Sequence, residues 1–127
     1  MTEQFIRAQM LLGEAAMQRL RESHVAVVGL GGVGSWCAEA LARSGVGRLT
    51  LLDEDTVSLS NLNRQCVALH STLGQPKAEV LARRIADISP DTAVRPLQAR
   101  YEAQTRETLF SAGPFDYLVD AIDLVSC

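Results

Sequence analysis

Residues 25–34 read Val-Ala-Val-Val-Gly-Leu-Gly-Gly-Val-Gly, and no other stretch of the chain restricts its fold as tightly. A short β-branched run of this kind fits a strand buried on both faces. Its glycines, Gly29, Gly31 and Gly34, fall at G-x-G-x-x-G spacing ahead of an amphipathic segment. In that setting Gly29 permits a tight turn, Gly31 lets backbone approach a pyrophosphate, and Gly34 allows a helix to pack close to the strand. The helix that follows presents free N–H groups and the positive end of its dipole, so the turn, Gly32 included, is a phosphate site. The spacing alone is weak evidence. Its position between strand and helix favours a nucleotide over a structural turn.

Residues 33–44 form the first helix, with Val33, Trp36, Cys37, Ala40 and Leu41 as its expected apolar face and Gly45 placed to stop it. Residues 49–53 are the second strand, and the βαβ unit so formed is expected to cross over right-handed. Asp53 ends that strand about twenty residues past the glycines, where such folds set an acid on ribose hydroxyls. From Glu54 to Gly74 the chain is polar and irregular and gathers Ser58, Ser60, Asn61, Asn63, Arg64 and Gln65. Gln75-Pro76 opens a helix to about Ile88, with Ala78, Leu81, Ala82, Ile85 and Ile88 inward. A strand at 93–97 carries Pro96 and so belongs at a sheet edge. A helix over 103–112 and a strand over 115–122 follow, with Asp123 just past the strand's end.

The expected fold is therefore α/β, a Rossmann-like parallel sheet in the order 3-2-1-4. Residues 4–21 read as two short helices broken near Gly13. This divides the chain into an N-terminal helical arm, residues 1–22, and a nucleotide-binding half domain, residues 23–127.

A length of 127 residues suits one domain, and 47% apolar with 21% charged residues excludes a disordered chain. A net charge of -3 provides no broad basic surface for nucleic acid, leaving only local patches such as Arg83-Arg84. Glu3, Gln4, Arg7 and Gln9 interrupt any signal-like apolar run, and no run is long enough to cross a bilayer. A cytoplasmic protein without membrane contact is expected. Cys37, Cys66 and Cys127 form no CxxC pair and no zinc pattern. Cys37 reads as packing, whereas Cys66, after the polar cluster, is the one cysteine kept as a candidate for reactivity. His24 and His70 lack ligand spacing and read as structural, and Trp36 reads as core.

Ligands of open α/β sheets bind outside the carboxyl ends of the strands at the switch point, here between the first and fourth strands. Gly31, Asp53 and Asp123 are expected there, joined by Arg64 and Lys77. A dinucleotide-dependent oxidoreductase would share the glycines and Asp53, so those residues alone leave redox and adenylate chemistry both open, as well as a non-catalytic nucleotide-binding module. Arg64 and Lys77 tilt the balance. With the helix N-terminus they supply more positive charge than a diphosphate needs, and a triphosphate whose pyrophosphate departs needs more. Asp123 is a carboxylate suited to Mg²⁺, which binds through one or two carboxylates plus substrate phosphates.

Five segments also carry a resemblance: Gly29-Leu-Gly-Gly-Val-Gly34, Leu51-Leu-Asp53-Glu-Asp55-Thr-Val, Ser60-Asn61-Leu-Asn-Arg64-Gln65, Gly74-Gln-Pro-Lys77 and Asp120-Ala-Ile-Asp123. In order and spacing they resemble the motifs of the ThiF/MoeB/HesA superfamily, the ubiquitin-activating-like adenylyltransferases. The glycine turn with Ser35-Trp36, together with Asn61–Gln65 and Asp120–Asp123, looks most like the tRNA threonylcarbamoyladenosine dehydratases. Val57–Leu62 and Gly74–Lys77 also resemble the molybdopterin-synthase adenylyltransferases.

The resemblance implies ATP-dependent adenylation of a carboxylate, with ATP and Mg²⁺ bound. Gly29, Gly31, Gly32 and Gly34 would hold the nucleotide, Asp53 its ribose with Asp55 beside it, Arg64 and Lys77 the phosphates, and Asp123 the metal. Asn61 and Gln65 belong near the phosphates. Phe5-Ile-Arg7 matches an arm whose arginine, in relatives, reaches the triphosphate of the neighbouring subunit of a homodimer, although Ala8 replaces the usual glutamine. The acceptor would be threonylcarbamoyladenosine in tRNA, followed by cyclising dehydration, or the C-terminal glycine of a ubiquitin-like sulfur carrier. Family members continue for roughly another half domain beyond the point matched by Cys127. The chain is expected to be a fragment, with activity in isolation doubtful.

Overall fold

The structure is a computed structural model and describes residues 3–122; Asp123 and Cys127 lie outside the described residues. Two helices open the chain, α1 (Ile6–Leu12) and α2 (Glu14–Glu22), separated by Gly13 at φ 87°. The order then runs β1 (His24–Val28), α3 (Gly34–Ser44), β2 (Arg48–Leu52), α4 (Lys77–Ile88), β3 (Ala93–Leu97), α5 (Arg106–Ser111) and β4 (Tyr117–Asp120). The strands form one parallel sheet in the order β3-β2-β1-β4, as the motif spacing predicts. Pro96 sits on the β3 edge, opposite Leu51, where its missing N–H removes no ladder bond from a central strand.

Successive side chains of a strand point to opposite faces, so the sheet sorts its own core. Val25, Val27, Leu49 and Leu51 turn toward α3 and α4, where Ala38, Ala42, Leu81 and Ile85 meet them. Ala26, Val28 and Leu52 turn the other way, against Leu109 of α5 and the ring of Phe115. The first cluster is the larger one. α2 joins the body through Met17, which is fully buried, and through Leu20.

The predicted inward face of α3 is wrong by part of a turn. Gly34, Ser35, Ala38, Glu39 and Ala42 are the buried positions, whereas Val33 is 74% and Trp36 50% exposed, and Ala40 also faces out. Proximity explains the reversal. A Cβ on Gly34 would stand 1.7 Å from the Gly29 carbonyl oxygen, so the start of α3 lies too close to β1 for large side chains and turns Gly34, Ser35 and Ala38 inward there. Cys37 and Leu41 end up half-buried rather than central.

Burying Glu39 on that face requires partners. It bonds to Arg84 of α4 and, at 3.2 Å, to Arg43 of its own helix. Burial pushes its carboxyl up, but the two guanidinium groups outweigh burial and hold it below the ordinary range. No helix among the described residues is long and apolar enough to cross a membrane.

Candidate functional site

The glycines of the turn are required by backbone contacts, not only by flexibility. Gly29 has φ 91°, and a Cβ there would stand 2.8 Å from the carbonyl carbon and oxygen of Ala121, at the end of β4. Only a residue without a side chain lets β4 close over the end of β1. Gly29 N–H still donates to Leu52 O at 2.9 Å, so the turn begins with the sheet ladder intact. From there α3 starts at Gly34 after Val33, with no side-chain cap; the Ser35 N–H donates back to Gly31 O at 3.1 Å, and the other N–H groups of the first turn are left to whatever the turn binds.

Asp53 ties this turn to β2. Its Oδ2 accepts the Leu30 N–H at 2.7 Å and its Oδ1 accepts the Asp55 N–H at 2.7 Å. An ionised carboxylate has about four acceptor sites, so each oxygen keeps one for a further donor such as a hydroxyl.

The polar stretch after β2 is a closed excursion. Val57 N–H donates to Gln75 O at 2.8 Å, Gly74 N–H to Val57 O at 2.9 Å and Lys77 N–H to Asp55 O at 3.0 Å, with a bridge between Thr56 and Pro76. This clasp returns the chain to the sheet and starts α4 beside Asp55. The Lys77 side chain is buried, its Nζ 4.0 Å from Asp55 Oδ2. Inside the excursion Asn61 is also buried, and its Oδ1 accepts from Ser58 N–H at 2.9 Å and Ser58 Oγ at 3.0 Å, closing the turn Leu59–Asn61.

Arg64 and Gln65 meet the glycine turn directly. The Arg64 stem lies over Gly32, where a Cβ would be 3.5 Å from its Cγ, and Nη1 donates to Ser60 O at 2.9 Å and Asn63 Oδ1 at 3.0 Å. Gln65 is buried with Nε2 toward Gly31. Its Oε1 is the one buried side-chain polar atom without a hydrogen-bond partner among the described residues. Such an orphan costs about 1–3 kcal/mol and marks where a donor belongs. Glycine turn, uncapped helix and the two cations together fit a phosphate-bearing ligand, while Gln65 Oε1 calls for a donor such as a hydroxyl or a bound water.

Against Gly29, Asp53 and Asp55 a cavity of about 190 Å³ opens, lined also by Arg100, Tyr101 and Ile122. Arg100 and Tyr101 escaped the sequence reading. They follow the carboxyl end of β3, and the rule that ligands lie past strand ends would have found them.

The remaining candidates separate. Arg7 lies on α1 and is exposed. The arm is anchored at the far end of the molecule, where Gln4 Nε2 donates to Ile88 O at 2.6 Å at the end of α4. Asp123 lies outside the described residues, and among those described no cluster of three or more His, Cys, Asp or Glu side chains is placed to hold a metal. Cys66 is no candidate for reactivity: it is buried, and burial pushes its thiol further above the ordinary range. Trp36, expected in the core, instead lies on the surface with its Nε1–H donating to Arg64 O at 2.8 Å. The position of His24 agrees with a structural part, since it is buried with both ring nitrogens engaged, and His70 lies exposed in the turn His70–Thr72.

Comparison with known proteins agrees with this geometry. The chain is 49% identical over 125 residues to the tRNA threonylcarbamoyladenosine dehydratase of Bacillus subtilis, covering 98% of this chain and 49% of the relative. It is 41% identical over 109 residues to the molybdopterin-synthase adenylyltransferase of Salmonella typhimurium, covering 86% of this chain and 43% of that protein. The E. coli tRNA N6-threonylcarbamoyladenosine dehydratase TcdA, solved in complex with ATP, superposes with a TM-score of 0.92 at 44% identity, over 97% of this chain and 50% of that one. The chain thus spans about half the length of the curated relatives it matches. The model of the ThiF family matches residues 5–127, and this chain belongs to the ThiF family.

Proposed function

We propose that the protein carrying this chain uses ATP to adenylate a carboxylate, and that the carboxylate is the threonylcarbamoyl group of a modified adenosine in tRNA. The observation that carries this reading is Arg64 lying along Gly32 of the glycine turn, a cation set where a triphosphate would be held. The Bacillus relative, a tRNA threonylcarbamoyladenosine dehydratase by name, supplies the acceptor. The nucleotide lies across the turn with its ribose hydroxyls on the free acceptor sites of Asp53 and Asp55 beside it. The phosphates meet the backbone of Gly29, Gly31, Gly32 and Gly34. Lys77, Arg64 and Asn61 border them, and Gln65 Oε1 finds its missing donor on the ligand or its water.

A carboxylate oxygen attacks the α-phosphorus and pyrophosphate leaves. Negative charge builds on the departing oxygens, where Arg64 and Lys77 stabilise it. The mixed anhydride makes the carbonyl electrophilic, and a nitrogen of the same substrate closes a ring as AMP departs. No protein nucleophile is needed. Mg²⁺ accompanies the triphosphate, with Asp123 as its carboxylate. Arg7 comes from a second copy in a homodimer, since the arm of one copy is anchored away from its own turn. The protein works in the cytoplasm, with residues 1–22 as its arm.

The Salmonella relative favours a second reading, adenylation of the C-terminal glycine of a ubiquitin-like sulfur carrier. Exchange of labelled pyrophosphate into ATP by the full-length protein separates the two. Exchange dependent on threonylcarbamoylated tRNA and lost in Asp123→Ala is expected. Exchange with the sulfur carrier alone selects the second reading, and exchange with neither acceptor overturns both.

A further inference from the structure

Trp36 has no place in the core, yet it is not idle. It projects from the first turns of α3, half exposed, and its indole N–H donates to the backbone carbonyl of Arg64 across 28 residues of sequence. Beside it, Ser35 Oγ donates to Gly31 O at 2.5 Å and accepts the Cys66 N–H at 3.4 Å. Consecutive residues of α3 thus grip the segment on both sides of Gln65, and the stem of Arg64 rests on Gly32 between them. The gripped segment has no ladder of its own. Arg64 N–H reaches only Asn61 O at 3.2 Å, and the guanidinium is held by Ser60 and Asn63 of the same excursion. Gln65, Cys66, Val67 and Ala68 are anchored in the core, whereas Arg64 stands exposed at the edge of that buried run with only local turn bonds on its own backbone besides the indole, so it is the part of the segment able to shift. The indole bond refers Arg64 to a helix that packs on β1 through Gly34.

We propose that Trp36 is a positioning residue for Arg64, fixing through its indole N–H the backbone from which Arg64 reaches the nucleotide phosphates. This rests on the adenylation reading for its purpose, though not for the contact itself. A phosphate-binding arginine displaced by an ångström loses much of its effect, and a carbonyl tether from a rigid element prevents that displacement. Because Trp36 stands half exposed outside the core, Trp36→Phe keeps an aromatic ring at the position and removes the N–H donor together with the pyrrole ring.

The test is a cycle of Trp36→Phe, Arg64→Ala and the double variant in the full-length protein. Two quantities are read: amide hydrogen exchange of residues 61–67 without nucleotide, and MgATP affinity by calorimetry. Trp36→Phe is expected to speed exchange in the segment, to lower the thermal midpoint by about 2–4 °C, the effect of one net hydrogen bond already present without nucleotide, and to raise the Kd for MgATP by up to about fivefold because binding must restore the Arg64 backbone. In the Arg64→Ala background the same substitution should leave the Kd where Arg64→Ala put it. Unchanged exchange overturns the tether. Faster exchange with wild-type affinity, or an additive loss in the double variant, overturns the action through Arg64. Failure of the unaltered protein to bind MgATP overturns the adenylation reading, while the exchange result still decides the contact.

Discussion

At the carboxyl end of the sheet a Cβ on Gly34 would stand 1.7 Å from the carbonyl oxygen of Gly29, and at the amino end a Cβ on Gly47 would stand 1.8 Å from that of Arg21. Both ends are therefore built by backbone passing against backbone, but their hydrogen bonding differs. At the amino end His24 N–H donates to Asp116 Oδ2 at 2.7 Å, its Nδ1 lies 3.0 Å from Pro114 O and its Nε2 lies 2.7 Å from Thr50 Oγ1. A carbonyl can only accept, so Nδ1 carries the proton and Nε2 accepts from the threonine. At the carboxyl end α3 starts uncapped and Gln65 Oε1 is unmatched. A forced glycine marks close packing; an unmet hydrogen bond beside it marks a site.

The largest expected effects test the shared device. Gly34→Ala and Gly47→Ala should each lower stability by about 3 kcal/mol or more, read by denaturant unfolding, because backbone must move to admit a methyl group. Only Gly34→Ala should also abolish MgATP binding in the folded fraction. If Gly47→Ala abolished it too, the two ends would be coupled and the contrast lost.

Substitutions at the buried polar groups sharpen the difference. His24→Ala should cost about 2 kcal/mol by stranding Thr50 and Pro114, with MgATP affinity unchanged. Gln65→Met should do the reverse. Removing an unsatisfied buried amide leaves stability equal or about 1 kcal/mol higher, while MgATP binding weakens about tenfold. A destabilised Gln65→Met protein with full affinity would make Gln65 a packing residue.

The smallest effect is that of pH on the closed end. Burial, and next the charge of Arg48, lower the pKa of His24 below its ordinary 6.5, against the opposing pull of the Pro114 carbonyl and Asp116. The unfolded chain therefore takes up the proton first as pH falls. Stability from this group is whole above pH 6.5 and is lost below it, down through the lowered folded value. Thermal midpoints on either side of that pH should differ more in the unaltered protein than in His24→Asn.

Sheet order, the edge place of Pro96 and the turn of Gly29–Gly34 were legible because each follows from a local rule: period, a missing N–H, glycine spacing. That Arg64 lies beside the turn was expected because it arrives on the segment after β2, and Gln65 was expected near it only through the motif that resembles a known family; the structure brings both against Gly31 and Gly32. The inward face of α3 was not, because hydrophobicity ranks Val33 and Trp36 above Ser35 and Ala38, and distance to β1 ranks them the other way. Cys66 was misread for a similar reason: the residues before it, Asn63, Arg64 and Gln65, are polar, while in space it joins the core cluster and its N–H meets Ser35 on the buried face of α3.

The sequence by itself determined the order of strands, the glycine turn and which polar residues gather after β2, since these depend on residue type and spacing along one chain. Only the tertiary structure decided which side of α3 faces the sheet, that Glu39 is buried with Arg84, that Gln65 Oε1 is unmatched, and that Trp36 holds Arg64. Those are distances between residues far apart in the chain. They are set by how closely backbones approach, a quantity no window of sequence contains.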